Sequence, residues 1–593
     1  VAGALLLSEG AALGQYNQPW TAFQPAPQAL PSGATISDDQ NETDLDWADL
    51  DLDGDIDLVI VRKEPFTTTG GRTNVLLMNE AGVLVDRTLA FASTSDVVGD
   101  QGFLALTNDR DVVITDLTGD GYPEIVTATE QSPGQPKSIS HPRVYLNKGS
   151  QGGVWQGFVY EESRIPAFLH FGSGLVGTPR LAAVDAADLD GDGDVDLYFG
   201  DHDTGTSLFG ALEPPSEDLE DRLLINDGSG FFTDATVMSL TMASAQSGFC
   251  NSVELADFNQ DGFVDIAKQA TYQSPEVLSI SYNDPTSPGL FGAPQIGTPL
   301  APYFINSGDL NQDGRLDLAV TSNADDYVLI NEGNGAGGHV NWSVPVPLTL
   351  IGENEPDSFF GLSYSSNNLI VDIDGDGWQD LIVADVDVEV AQYQSDYRLH
   401  LYHNRGGTPG TSAVELVEER QSPASSTWVG APGLLPDDVR WTHDVAVFDI
   451  DGDGLNDLVL SRREGTQVWL QTSPPVCQND LGFGTGLVLE VCGGDLSTGS
   501  DATLSLFAAA PSSSVLLAIA ATSNPTPLPS LGITVLPFPP LSILTLFTDA
   551  TGQLTAPVPG GGGPATLVIQ AFQPASIGPP FVASNAIEVQ LLP

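Results

Sequence analysis

Asp188-Leu189-Asp190-Gly191-Asp192-Gly193-Asp194-Val195-Asp196 runs directly into the apolar stretch Leu197-Tyr198-Phe199. Counting Asp188 as position 1, carboxylates stand at positions 1, 3, 5 and 9, and glycine stands at position 6. Like charges packed this densely repel one another unless a cation sits among them. Asp188, Asp190, Asp192 and Asp196 offer carboxylate oxygens, and the backbone carbonyl of Asp194 at position 7 offers one more. Calcium takes six to eight oxygens in flexible geometry, whereas magnesium prefers a strict octahedron and dehydrates reluctantly.

The pattern recurs. Loops begin at Asp49, Asp116, Asp188, Asp257, Asp309, Asp372 and Asp449, at intervals of 52 to 77 residues. Asp49, Asp51, Asp53 and Asp57 repeat it with Gly54; Asp372, Asp374, Asp376 and Asp380 with Gly377; Asp449, Asp451, Asp453 and Asp457 with Gly454. In Asp257, Asn259, Asp261 and Asp265, and in Asp309, Asn311, Asp313 and Asp317, an uncharged amide oxygen replaces one carboxylate. Asp116, Thr118, Asp120 and Glu124 depart furthest, with Pro123 at position 8. The remaining position-7 carbonyls belong to Asp55, Tyr122, Phe263, Arg315, Trp378 and Leu455. These residues are the candidate ligands for up to seven calcium ions. An EF-hand would need Glu at position 12, where the third loop has Phe199, and helices on both sides.

The flanks read as strands. Short β-branched runs enter the loops, as in Val112-Val113-Ile114 and Val445-Ala446-Val447-Phe448, and others leave them, as in Leu58-Val59-Ile60-Val61 and Leu381-Ile382-Val383. A third run ends in asparagine in most repeats, for example Val75 to Asn79, Val144 to Asn147, Leu223 to Asn226 and Leu399 to Asn404. Asparagine tolerates the left-handed turn conformation, so it is read as the start of a hairpin to a fourth, outer strand. Seven four-stranded units predict an all-β chain: a seven-bladed β-propeller over residues 15–474. The seventh repeat runs into Thr472-Ser473-Pro474-Pro475 without a fourth strand, so part of residues 15–40 is expected to supply it. Residues 475–593 lack acidic loops and are rich in Pro, Gly, Ser, Thr and β-formers, which predicts a small C-terminal β-sandwich.

Composition narrows the partners. Nineteen Lys plus Arg stand against 79 Asp plus Glu, a net charge of −60, which repels nucleic acid and anionic membrane. No stretch is long and apolar enough to span a bilayer. Residues 1–14 read as the remnant of a secretory signal peptide, with Ala12 and Gly14 at −3 and −1 of a cleavage before Gln15. In an oxidising compartment Cys477 and Cys492 are close enough in sequence to pair, leaving Cys250 as a buried thiol. The seven histidines show no metal-ligand spacing, and no Gly-x-Ser-x-Gly elbow is present. Trp155, Trp378, Trp428 and Trp441 are read as packing residues that can also stack on sugars.

Loop plus flanking strands resembles the FG-GAP/VCBS repeat family, the calcium-binding blades also found in integrin α-subunit propellers. The resemblance covers about residues 40–474; Asp188 to Phe199 and Asp449 to Leu460 carry it, and Phe291-Gly292-Ala293-Pro294 is a single echo of the family's other signature. It implies a calcium-binding propeller, secreted or at the cell surface, that acts as a binding or adhesion module for an extracellular protein or glycan. The family also includes a few polysaccharide lyases, so a carbohydrate-active enzyme working at the channel mouth is the alternative, and a structural surface or matrix component a third. Asp44, Asp111 and Asp444 each stand five residues before a loop, with His443 beside the last. They are expected where the innermost strands begin, opposite the calcium loops, as a candidate ligand site at the channel mouth.

Overall fold

The computed structural model describes residues 21–30, 43–63, 71–129, 135–169, 177–202, 219–246, 250–270, 277–298, 302–322, 326–348, 365–385, 399–418, 442–462, 465–472 and 476–592, apart from single residues and short gaps within them. Residues 1–14, Trp428 and Trp441 lie outside the described residues. Among the described residues no helix is long and apolar enough to cross a membrane.

The chain is all-β. Each acidic loop joins the first two strands of an antiparallel sheet, and the second strand begins at position 9. Sheet 1 is Thr43–Ala48, Asp57–Arg62, Val75–Asn79 and Leu84–Asp86 in spatial order. Sheet 2 begins with Asp109–Thr115 and Glu124–Thr129, and carries Thr94–Ser95 as a fifth, parallel edge strand. Sheets 3 to 6 begin with Leu181–Ala187, Val253–Ala256, Phe304–Gly308 and Ser365–Val371. Sheet 7 contains Thr442–Phe448, Asp457–Arg462 and Gln467–Gln471, and its fourth strand is Phe23–Pro25, paired antiparallel with Phe23 opposite Gln471. The second strands carry buried apolar runs, as in Leu58, Val59, Ile60 and Val61, whose alternate residues join clusters shared with the two neighbouring sheets.

Contacts between first strands follow chain order, from sheet 1 to sheet 7, and Thr43–Ala48 also touches Thr442–Phe448, so the succession returns to its start. Side chains tie every junction. Asp46 accepts from Ile114 N at 2.6 Å, Asp111 from Val184 N at 2.7 Å, and Asp185 from Leu255 N at 2.7 Å. Ser252 Oγ accepts from Ile305 N, Asn306 Oδ1 from Ile370 N, Asp444 Oδ1 from Asn367 Nδ2, and Asp444 Oδ2 from Leu45 N at 2.8 Å.

A second belt corrects the reading of the asparagines. None of Asn79, Asn147, Asn226, Asn283, Asn331 and Asn404 has a positive φ. Each instead donates Nδ2 to the position-2 carbonyl of the preceding sheet's loop. Asn147 reaches Leu50 O, Asn226 Leu117 O, Asn283 Leu189 O, Asn331 Phe258 O and Asn404 Leu310 O. Asn79 reaches Ile450 O at 2.9 Å across 371 residues. In sheet 7 the position is Gln471, which binds Thr21 Oγ1, and Asn456 donates to Asp372 O instead. The asparagine is selected because a planar amide can donate sideways and accept from its own turn at once; Asn226 Oδ1 accepts from Gly228 N and Gly230 N.

Residues 476–592 form two further sheets and a hairpin. One sheet contains Val488–Gly493, Ala502–Phe507 and Leu554–Val558; the other contains Ser514–Ala520, Ala565–Pro574 and Phe581–Leu591. Leu489, Leu504 and Leu506 from the first share a buried cluster with Val515, Ile569 and Val589 from the second. Cys477 and Cys492 are direct partners in the antiparallel pairing of Val476–Cys477 with Val488–Gly493.

Asn226 is buried and its side chain makes four hydrogen bonds. Asn226→Ala strands the Leu117 carbonyl and two turn N–H groups, so urea denaturation should show a loss of about 2–3 kcal/mol; a loss under about 0.5 kcal/mol would contradict the clasp.

Candidate metal centres

The loops share one hydrogen-bond scheme, set by where the acids stand. The position-1 carboxylate accepts from the position-6 glycine N–H in all seven, at 2.8 to 3.0 Å. That closure puts position 6 at positive φ, +98° for Gly193 and +92° for Gly377, which is why glycine stands there. The position-5 Oδ1 accepts from the position-7 N–H, as in Asp192 from Asp194, Asp120 from Tyr122, Asp261 from Phe263, and Asp376 from Trp378. The turn therefore uses both oxygens of the position-1 side chain, and in the all-acid loops only Oδ1 at positions 3 and 5.

Position 9 is different. Asp57, Glu124, Asp196, Asp265, Asp317, Asp380 and Asp457 are buried. One oxygen of each accepts from the position-2 N–H, Leu189 to Asp196 at 2.9 Å for example. In six of them the other accepts from the clasp residue's N–H on the third strand, Asn226 to Asp196 at 2.9 Å and Gln471 to Asp457 at 2.7 Å for example. Burial, with the neighbouring loop acids adding to it, pushes these carboxyls up to about 7 in Asp57, Asp196, Asp265, Asp317 and Asp380, about 8 in Glu124 and about 6 in Asp457. Once ionised, these buried carboxyls carry charge that is costly unless it is offset.

The loops are not equal as cation sites. Among the described residues, ligand oxygens lie within 4.8 Å of one another in Asp49, Asp51 and Asp53; Asp188, Asp190 and Asp196; Asp372, Asp374 and Asp380; and Asp449, Asp451 and Asp453. Asp51, Asp190 and Asp374 are raised by burial and by the adjacent carboxylates. Such sets of oxygen donors fit a hard dication. In the loops at Asp257 and Asp309 the amide nitrogens of Asn259 and Asn311 face Asp261 and Asp313. Arg315 also pairs with Asp313, giving the fifth loop a cation of its own. The second loop has Thr118 in place of an acid.

The candidate acids of the innermost strands do meet: Asp44 hydrogen-bonds both Asp111 and Asp444. Burial and mutual repulsion hold Asp44 well above the usual carboxylate range, and burial pushes Asp111 and Asp444 up to about 6. Asp111 and Asp444 spend their oxygens on backbone N–H groups of their own and neighbouring strands, so their visible work is to stitch the junctions. His443 stands beside Asp444 at an irregularity in the strand pairing between Thr442 and Asp444. Trp155 is buried and donates Nε1–H to Asn147, and Trp378 packs against Gly406.

A residue outside every loop joins the sixth. His403, on the third strand of sheet 6, brings Nε2 to 3.7 Å from Asp374 Oδ2 and 3.9 Å from Asp376 Oδ2. Sequence spacing gives no signal for it; the register of the third strand does.

The acids with raised folded values keep their protons in the native state, so their contribution is fully present below about pH 4 and lost as pH rises through 6. Asp44→Asn removes the central charge and keeps a donor for both neighbours. In saturating calcium, its urea midpoint should fall less between pH 5 and pH 8 than that of the unaltered chain, by about 1 kcal/mol equivalent; equal falls would contradict shared protonation.

Residues 116–199 and 372–460 match the family model described as FG-GAP-like repeat. No curated protein matches the sequence. Among solved structures, that of the Dos1 propeller aligns over 78% of this chain and 96% of its own, at 9% identity and a TM-score of 0.37. The two matched regions contain the second, third, sixth and seventh acidic loops together with the strands that enter and leave the third and seventh: the chain carries FG-GAP-like repeats.

Proposed function

We propose that residues 15–474 form a closed, calcium-stabilised seven-bladed propeller, that residues 475–593 form a β-sandwich, and that the chain is a secreted binding or adhesion module for an extracellular protein or glycan. The observation that carries this is the loop geometry. Three carboxylates converge in four loops while the position-9 acid of the same loop ties its sheet's third strand. An ion there would offset the charge and lock the loop to the blade. Exposed, largely surface-formed loops of this kind suit the weak, roughly millimolar calcium affinities of extracellular modules. The cyclic succession of junctions supports closure, and the shared cluster of the two C-terminal sheets supports the sandwich. The ligand would be bound on a surface that the loops hold in shape, because the loop acids and the channel acids are committed to the fold.

Excess EDTA should lower the melting temperature by more than about 10 °C, and calcium should restore it. An unchanged melting temperature would contradict the proposal. Without calcium, stability should fall from pH 5 to pH 8, since the position-9 carboxyls must ionise while buried; with calcium bound, that fall should largely vanish. A glycan array with and without calcium, paired with a turnover assay on uronate polymers, tests the activity. Calcium-dependent binding without turnover is expected, and an unsaturated product would favour a lyase.

A further inference from the structure

We propose that the sixth loop is a mixed-donor site for a transition-metal dication of the zinc type, held by His403 Nε2, Asp374 and Asp376. This rests on the reading that the loops hold metal ions, and goes beyond it in assigning this loop a different metal.

The geometry distinguishes the site from the other six loops. The residue that precedes the clasp on the third strand is Met78, Leu146, Ile225, Tyr282, Ile330 and Leu470 in sheets 1 to 5 and 7. None of these brings an imidazole or thiolate to its loop. In sheet 6 it is His403, and the three ligand atoms of His403, Asp374 and Asp376 lie within 4.8 Å of one another. The separations of 3.7 and 3.9 Å are too long for direct hydrogen bonds between imidazole and carboxylate. They are close to the spacing of about 3.4–3.6 Å between two donors that share one ion at bonds of about 2.1 Å.

The carboxylates are oriented for it. Asp374 Oδ1 accepts from Asp376 N, and Asp376 Oδ1 accepts from Trp378 N, so the turn fixes both side chains with their Oδ2 atoms toward His403. The ring itself is placed by strand pairing: His403 lies opposite Val417, and the adjacent Asn404 is clasped to Leu310 O and Asp380. A nitrogen donor shifts preference away from calcium, a hard ion that takes oxygen, toward borderline metals for which imidazole is a favoured ligand. Asp374 also belongs to the set with Asp372 and Asp380, so it is shared between an oxygen-only set and the set that includes His403.

The test is titration of the full chain with Zn2+ in excess calcium, with Co2+ absorption as the spectroscopic probe of a nitrogen ligand. The expected result is one Zn2+ per chain in excess calcium. His403→Leu should weaken it at least about ten-fold and abolish the Co2+ signal, while the calcium stoichiometry at the other loops is unchanged. His403→Gln, which keeps a polar side chain of similar size, guards against a folding defect and should show the same loss. Zn2+ binding that survives both substitutions, or a chain that takes calcium but no Zn2+, would overturn the assignment while leaving the calcium reading intact. A chain that binds neither metal would overturn both.

Discussion

Repulsion among carboxylates is the constraint on which the rest of this molecule depends. Ligand oxygens held within 4.8 Å of one another, in four separate loops, cost about 3 kcal/mol per ionised pair at an effective dielectric near 20. The loop backbone relieves part of this by aiming N–H groups at the acids, from the position-6 glycine to position 1 and from position 7 to position 5. At positions 3 and 5 of the all-acid loops the turn takes only Oδ1 and leaves the Oδ2 atoms. A dication would satisfy them and would convert a repulsive turn into a rigid one, which is the basis for proposing the loops as clips for the blades.

The clip extends beyond the loop through two residues. The position-9 acid accepts from the loop with one oxygen and, through Asn79, Asn226, Asn283, Asn331, Asn404 or Gln471, from the third strand with the other. The asparagine then reaches the previous loop's carbonyl, which links a loop to the neighbouring sheet through two hydrogen bonds. On the innermost strands, Asp46, Asp111, Asp185, Ser252, Asn306 and Asp444 repeat the idea by accepting backbone or amide N–H groups from the neighbouring strand. Polar side chains, ordinarily a burden in a packed interior, here carry the contacts between sheets because each one finds a partner.

Much of this was legible in the sequence because it is local. Acids at alternate positions, glycine at position 6 and an apolar run after position 9 are all set within a dozen residues, and the sheets follow them. The long-range roles were not. Asparagine as a residue type suits a left-handed turn; that these backbones avoid positive φ and that the side chains reach the preceding sheet depend on packing that spacing does not encode. Asp46, Asp185 and Asn306 look like ordinary strand residues until the neighbouring strand is in place. His403 stands 23 residues after the last acid of its loop and joins it only through the register of the third strand.

The most direct measurement of the central claim is the calcium bound by the full chain at equilibrium, in excess of the free ion, on dialysis against about 10 mM calcium, well above the affinity expected of such loops, read by inductively coupled plasma mass spectrometry. The account predicts at least three calcium ions per chain, from the oxygen-only sets at Asp49, Asp188 and Asp449. A chain that folds and retains less than one calcium would contradict it.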